Sequence, residues 1–266
     1  MLRVLFGVAC VVAATPTLAF EAADLARLDG TGSCVACDLR GADLRNRDLK
    51  RADLRETKLR EADLKGADLS GADLRAADLR RAELERATLV GARLNEAKLR
   101  RADLEKADLS TADLSGADLR EADLEEARLD GARMIGADLR RADLKRASLE
   151  GADLTGAALD GVDLERARAK GAVLIRADLT RADLGRADLS GADLTKADLS
   201  HANLARVNFN GATLAGADFD DATLRRTNFS AANLTGATGL TQARLDGACG
   251  DDRTVLPKGL TLRHCR

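Results

Sequence analysis

Two cysteine pairs and two histidines are the residues of this chain best suited to chemistry. Cys34 and Cys37 have a Cys-x-x-Cys spacing, and Cys249 and Cys265 lie near the other end. That inventory admits thiol–disulfide exchange, haem attachment, a four-thiolate zinc site, buried free thiols or structural bridges. Haem attachment needs a histidine after the second cysteine, and Asp38 stands there. His201 and His264 sit in no nucleophile–base pattern, and the chain has no phosphate loop and no metal-ligand spacing. The chain is therefore read as non-catalytic, with no cofactor and no metal. What remains for the cysteines depends on the elements that hold them.

Those elements are written in a five-residue unit, Ala-Asp-Leu-x-x, seen in Ala62-Asp63-Leu64-Lys65-Gly66 and the unit after it. The central position recurs every five residues from Leu39 to Leu234, forty times, and thirty-five of these centres are Leu. The others are Met134, Ala169, Phe209, Phe219 and Phe229. Two residues before each centre sits a small residue, nearly always Ala. On a helix a period of five carries Leu around the surface, and on a straight strand it sends successive Leu to opposite faces. Each buried Leu is worth roughly 1.5–3 kcal/mol, so neither arrangement is acceptable. The chain must turn a corner in every unit. The centre and the small residue then point inward, and the other three positions point out.

The outward positions count the walls. Arg follows the centre at 40, 60, 80, 100, 120 and 140. A second column holds Arg146, Arg166, Arg186, Arg206 and Arg226, and a third holds Gly131, Gly151, Gly171, Gly191 and Gly211. Twenty residues is four units, so a four-walled coil stacks like on like, and about ten coils give a rod roughly 48 Å long. The expected fold is an all-β solenoid.

Forty units in one frame make the chain resemble the pentapeptide repeat family over about 200 of its 266 residues. The resemblance implies a right-handed quadrilateral β-helix of about ten 20-residue coils. The N-terminal segment with its Cys-x-x-Cys also resembles the capped start of exported family members.

Residues 1–19 read as a secretory signal peptide: Arg3, an apolar run from Leu5 to Ala14, and a Thr17-Leu18-Ala19 cleavage site. A lipoprotein reading through Cys10 is poorer, because Gly7 sits where Leu is usual. The domain reading is signal peptide 1–19, N-terminal cap 20–36, β-helix 37–238 and C-terminal cap 239–266. Periplasmic or secreted localisation follows, with no transmembrane segment after signal removal. The mature chain keeps 41 basic and 44 acidic residues, close to balance, which implies neither bulk nucleic-acid binding nor bulk acidity.

The rod places one cysteine pair at each end, too far apart for a shared zinc or a cross-link between ends. Bridges, if formed, are Cys34–Cys37 and Cys249–Cys265. Cys34 and Cys37 also fall on inward positions, so two free buried thiols are the second reading, behind a bridge. A thioredoxin-like role needs a strand–helix setting that is absent.

Several positions break the pattern. Arg47 is an inward charge in the first coil, so the expectation is a distorted corner or a side chain that leaves through the open end. Ala169 leaves a gap under Leu149, so the coil tightens or a small void remains. Phe209 and Phe229 should stack in one column with Phe219 opposite. Asp or Asn before the centre should accept a backbone N–H at the turn, making these carboxylates structural. Ala22 to Leu28 suits a short helix with Leu25 and Leu28 over the first coil. The frame slips after Ala237, and Val255, Leu256, Leu260 and Leu262 are available as a lid.

For function, one wall carries a basic cluster, Lys58, Arg60, Arg80, Arg81, Lys98, Arg100 and Arg101, and ends in Asp218, Asp220 and Asp221. The plain reading is a solvated surface; the functional one is an anion-facing strip for an envelope polyanion or an acidic protein. The favoured function is an exported structural or protein-interaction scaffold. The resemblance supplies one alternative, since some family members mimic DNA and bind a type II topoisomerase. Peripheral association with an anionic membrane surface is the other.

Overall fold

The structure, a computed structural model, describes residues 22–265, so the signal-peptide reading of 1–19 lies outside the described residues. Between Ser33 and Thr238 the chain is a right-handed quadrilateral β-helix. Every unit puts one residue in a parallel bridge with the residue twenty further on, from Ser33↔Asp53 to Asp218↔Thr238. The walls are too short to be conventional strands, because each holds a single bridging residue between two corners.

The inward pattern packs as the period requires. All thirty-five Leu centres are buried, as are Met134, Phe209, Phe219 and Phe229. Ala lines the rest of the lumen beside them. The bridging residue links both neighbours: Asp63 N donates to Ala42 O at 2.9 Å, and Leu44 N donates to Asp63 O at 2.7 Å. These ladders satisfy the backbone groups that burial would otherwise penalise. The two inward threonines are satisfied as well. Thr57 Oγ1 donates to Cys34 O at 2.6 Å, and Thr227 Oγ1 donates to Leu204 O at 2.7 Å.

Each corner is a four-residue turn closed by the N–H of the small residue onto the preceding centre, as in Ala42 N to Leu39 O at 3.1 Å. The residue just before the small one has positive φ in every turn, from Ala36 to Gly236. A closing bond plus positive φ at the third residue is type II turn geometry, which favours Gly there. Fifteen of these forty-one corners are Gly and twenty-six are not, so most corners place an ordinary side chain in the left-handed region.

Both ends are covered. Helix α1, Ala22–Thr31, lies over the first coil with Leu28 buried and Leu25 packed on the core. It runs three residues beyond the expected helical stretch. The Asp24 carboxylate accepts the Asp38 N–H at 2.8 Å, tying the helix to the first wall. Arg47 leaves through the open end and pairs with Asp29 of α1, so the inward charge belongs to the cap.

At the other end Gly239 takes φ +72°, and a Cβ there would stand 2.2 Å from Asp220 N. Only glycine fits, and the frame changes at this point. Helix α2, Gln242–Leu245, then buries Leu245, and the register lengthens to Asn228↔Cys249 and Asn233↔Val255. Strands β1, Cys249–Gly250, and β2, Arg263–His264, pair in parallel. Leu256, Leu260 and Leu262 pack against the core, as does Leu240. Val255 does not serve as lid: its backbone completes the wall and its side chain is 48% exposed.

Candidate functional site

The four cysteines form two bridges, Cys34–Cys37 with Cα atoms 5.3 Å apart and Cys249–Cys265 at 4.9 Å. Asp24 stands beside the first pair, but sulfurs bonded to each other are not the thiolates that ligate a metal. His201 faces Asp221 at 3.8 Å and His264 faces Asp252 at 3.2 Å, all exposed. The cysteines are thus bridged at either end and the histidines pair on the surface; the charged walls remain.

The wall residues are organised by the acid that precedes each centre. Its Oδ1 accepts the N–H two residues on, as in Ser70 N to Asp68 at 3.0 Å and Thr195 N to Asp193 at 2.9 Å. Where Arg follows the centre and Asp precedes it, the guanidinium forks back onto that carboxylate. Arg40–Asp38, Arg75–Asp73, Arg120–Asp118 and Arg140–Asp138 pair at 2.6, 2.7, 2.6 and 2.6 Å. The Arg45 fork holds the Asp43 carboxyl down at about 2. In the C-terminal third Asn replaces Asp and builds a ladder: Asn208 Nδ2 donates to Asp188 at 2.9 Å, and Asn228 Nδ2 donates to Asn208 at 3.1 Å.

The basic cluster lies on one wall, but the structure neutralises most of it. Lys58 pairs with Asp38 at 3.9 Å, Arg60 and Arg80 share Asp78 at 3.8 and 2.5 Å, and Arg81 meets Glu61 at 3.7 Å. Arg100 and Arg101 both hold Glu121 at 2.6 Å. Only Lys98 of the seven lacks a carboxylate partner among the described residues. The strip is a mosaic of ion pairs, because an acid stands before the centre or at the next corner in nearly every coil. Asp220 and Asp221 at its far end are engaged by Arg244 of the C-terminal cap.

The second arginine column behaves differently along its length. Arg146 bonds Glu125 at 2.6 Å and Glu126 at 3.2 Å, and Arg166 reaches Glu165 at 3.5 Å. Beyond these the wall residue changes from Glu125, Lys145 and Glu165 to Gly185, Ala205 and Arg225. Among the described residues no carboxylate comes within 4 Å of the guanidinium groups of Arg186, Arg206, Arg225 or Arg226. The signal was present in the sequence as a column losing its acidic neighbours.

Inside the rod, Ala169 leaves a void of about 10 Å³ lined by Leu and Ala, among them Leu149, Leu164, Leu174 and Leu189. Phe209 and Phe229 stack with centroids 5.5 Å apart, and Phe219 meets Phe229 edge-on at 6.2 Å. Both observations belong to packing.

Known proteins place this architecture. The family model Pentapeptide repeats (8 copies) matches in overlapping runs from residues 37–75 to 213–249. Among solved structures, HetL of the cyanobacterium Nostoc sp. strain PCC 7120, a pentapeptide repeat protein involved in regulating heterocyst differentiation, is 35% identical. That match covers 87% of this chain and 98% of HetL, with a TM-score of 0.67. A pentapeptide repeat protein of the Arabidopsis thaliana thylakoid lumen is 36% identical over 36% of this chain and 70% of its own, with a TM-score of 0.30. QnrB1, a plasmid-mediated fluoroquinolone resistance protein, is 20% identical over 79% of this chain and 92% of its own, also at 0.30. No protein of curated function matches. The forty-unit frame, the four-walled stack, the family model and the HetL match make the chain a member of the pentapeptide repeat family.

Proposed function

We propose that this protein is an exported, non-catalytic interaction rod. The observation that carries the reading is the pair of bridged caps. Each open end of the solenoid is covered by apolar side chains and stapled by a disulfide, an arrangement suited to an oxidising compartment. A rod sealed at both ends offers its walls to a partner, not its core or its edges. Acid–arginine forks and Asn ladders hold the wall side chains in place, so a partner meets a surface already ordered. A DNA-mimic role gains no support, because that function wants an acidic face and these walls interleave both signs.

Fractionation of cells that express the native gene, with N-terminal sequencing and a thiol titration, tests the reading. The expected product begins after Ala19, lies in an envelope or secreted fraction and has no reactive thiol before reduction. An unprocessed cytoplasmic chain with free thiols overturns it.

A further inference from the structure

We infer that the groove between Arg186, Arg206 and Arg225, with Arg226 at the matching corner one coil beyond Arg206, is a binding site for a compact oligophosphate. The groove encloses about 220 Å³ and is lined by Glu165, Asp183, Gly185, Asn203 and Ala205 beside the three arginines. Arg186, Arg206 and Arg226 occupy the same corner in three successive coils, so two coil rises, roughly 10 Å, separate the first from the last. Arg225 adds a fourth guanidinium from the adjoining wall.

The two acids of the groove are already engaged. Glu165 is held by Arg166 at 3.5 Å, and Asp183 accepts the Gly185 N–H at 2.8 Å and the Asn203 amide at 2.9 Å. The four arginines are left to one another. Repulsion from Arg186 first and Arg226 next, then desolvation and Arg225, pushes the Arg206 guanidinium below its ordinary range. Elsewhere on the rod stacked arginines are relieved by a carboxylate in the same or the next coil, as Glu121 relieves Arg100 and Arg101. Here no carboxylate comes within 4 Å to do so among the described residues, and Asp183, bonded only to neutral donors, adds one negative charge to the lining.

The lining decides the kind of anion. No aromatic or large apolar side chain faces the groove, so nothing holds a base, a sugar face or an acyl chain. Gly185 and Ala205 keep the floor low, which lets an anion approach the guanidinium forks. Those forks match phosphate oxygens two at a time. Four cations across roughly 10 Å call for several charges on one small ligand, which a single carboxylate or a monophosphate does not carry. The site does not depend on where the chain resides, so it stands or falls separately from export.

Calorimetry on the purified, oxidised chain tests the inference with sodium tripolyphosphate as the probe. Tripolyphosphate should bind, with affinity that falls as salt rises, at least about tenfold more tightly than inorganic phosphate or poly-glutamate. The pair R206E and R225E should abolish this binding while the thermal midpoint and circular dichroism stay unchanged. Replacement of Arg60, Arg80 and Arg100 by Gln should leave it intact. Should the paired variant fail to fold, R206Q alone serves, with a loss of at least about fivefold expected. Absent binding, binding indifferent to Arg206, poly-glutamate preferred over tripolyphosphate, or capture only by vesicles containing phosphatidic acid would each overturn the assignment.

Discussion

A single backbone conformation, repeated forty-one times, sets the chemistry of individual residues in this rod. The corner before each small residue is left-handed, where a Cβ costs roughly 1–2 kcal/mol and glycine costs nothing sterically. Gly151 sits at such a corner with open space around a would-be Cβ, so Gly151→Ala isolates the conformational cost. It should lower stability by about 1 kcal/mol, and the reverse change at another left-handed corner, Ala76→Gly, should raise it by a similar or smaller amount. Urea titration of both variants checks this; equal stability across all three proteins would mean the corners are not left-handed. Fifteen of the twenty-three glycines fall on this one position. The turn type was therefore written in the sequence, though columns of like residues drew the eye to the walls. Ala169 was legible in the other sense, because one missing Leu in a strict pattern is a hole by arithmetic. Ala169→Leu should fill the void and raise stability by about 1 kcal/mol after partial overpacking is allowed for, read as a higher unfolding midpoint. A destabilised variant would show that the neighbouring leucines have already closed in.

The C-terminal cap holds one carboxylate whose contribution to stability should depend on pH, as should the contributions of the wall aspartates along the rod. Asp251 accepts the Ala231 N–H at 2.8 Å and also holds Arg253 at 2.9 Å. These partners, the backbone N–H first, bring its carboxyl down from 3.8 to about 2. A folded value below the unfolded one means that the stabilisation is complete above pH 4 and is lost as pH falls towards 2. The C-terminal cap should loosen in that window, and Asp251→Asn should flatten its pH dependence while leaving the β-helix signal unchanged. Hydrogen exchange of the Ala231 amide across pH 4 to 2 reads the effect, and an identical slope in wild type and variant would dismiss Asp251 as its source. The composition of the caps was visible in the sequence, but their contacts were not. Arg47 was legible as a misfit that must distort its corner or leave through the open end, but its partner Asp29 depends on how α1 lies across the coil. Val255 was misplaced for the same reason: an apolar residue beyond the repeat suggests a lid, whereas here its backbone was what the last wall required. The individual ion pairs of the basic strip were not legible, because a column spaced by twenty specifies a wall, not where each guanidinium turns.

At the scale of the whole molecule the rod is close to one-dimensional, since each coil bonds only to the coil above and the coil below. Length should then be adjustable in whole coils and in nothing smaller than a unit. Removing residues 91–110 deletes one coil, joins Val90 to Thr111 and keeps every inward position inward. The corner at the join stays a corner, since Thr111 already has φ +59° in place of Gly91. That variant should fold cooperatively with the same circular dichroism and a midpoint within a few degrees of the parent. Removing 91–108 takes out two residues fewer and should be far worse. The frame then breaks at the join, so the two halves of the lumen no longer meet with leucine over leucine. Several leucines lose burial there, each worth roughly 1.5–3 kcal/mol, against a total stability of about 5–15 kcal/mol for a typical domain. The comparison separates the frame from mere length, because the more damaging change is the smaller one. If both deletions fold equally well, the five-residue frame is not what holds the tiers together. If neither folds, the coils are not the independent layers that their uniform bridging implies.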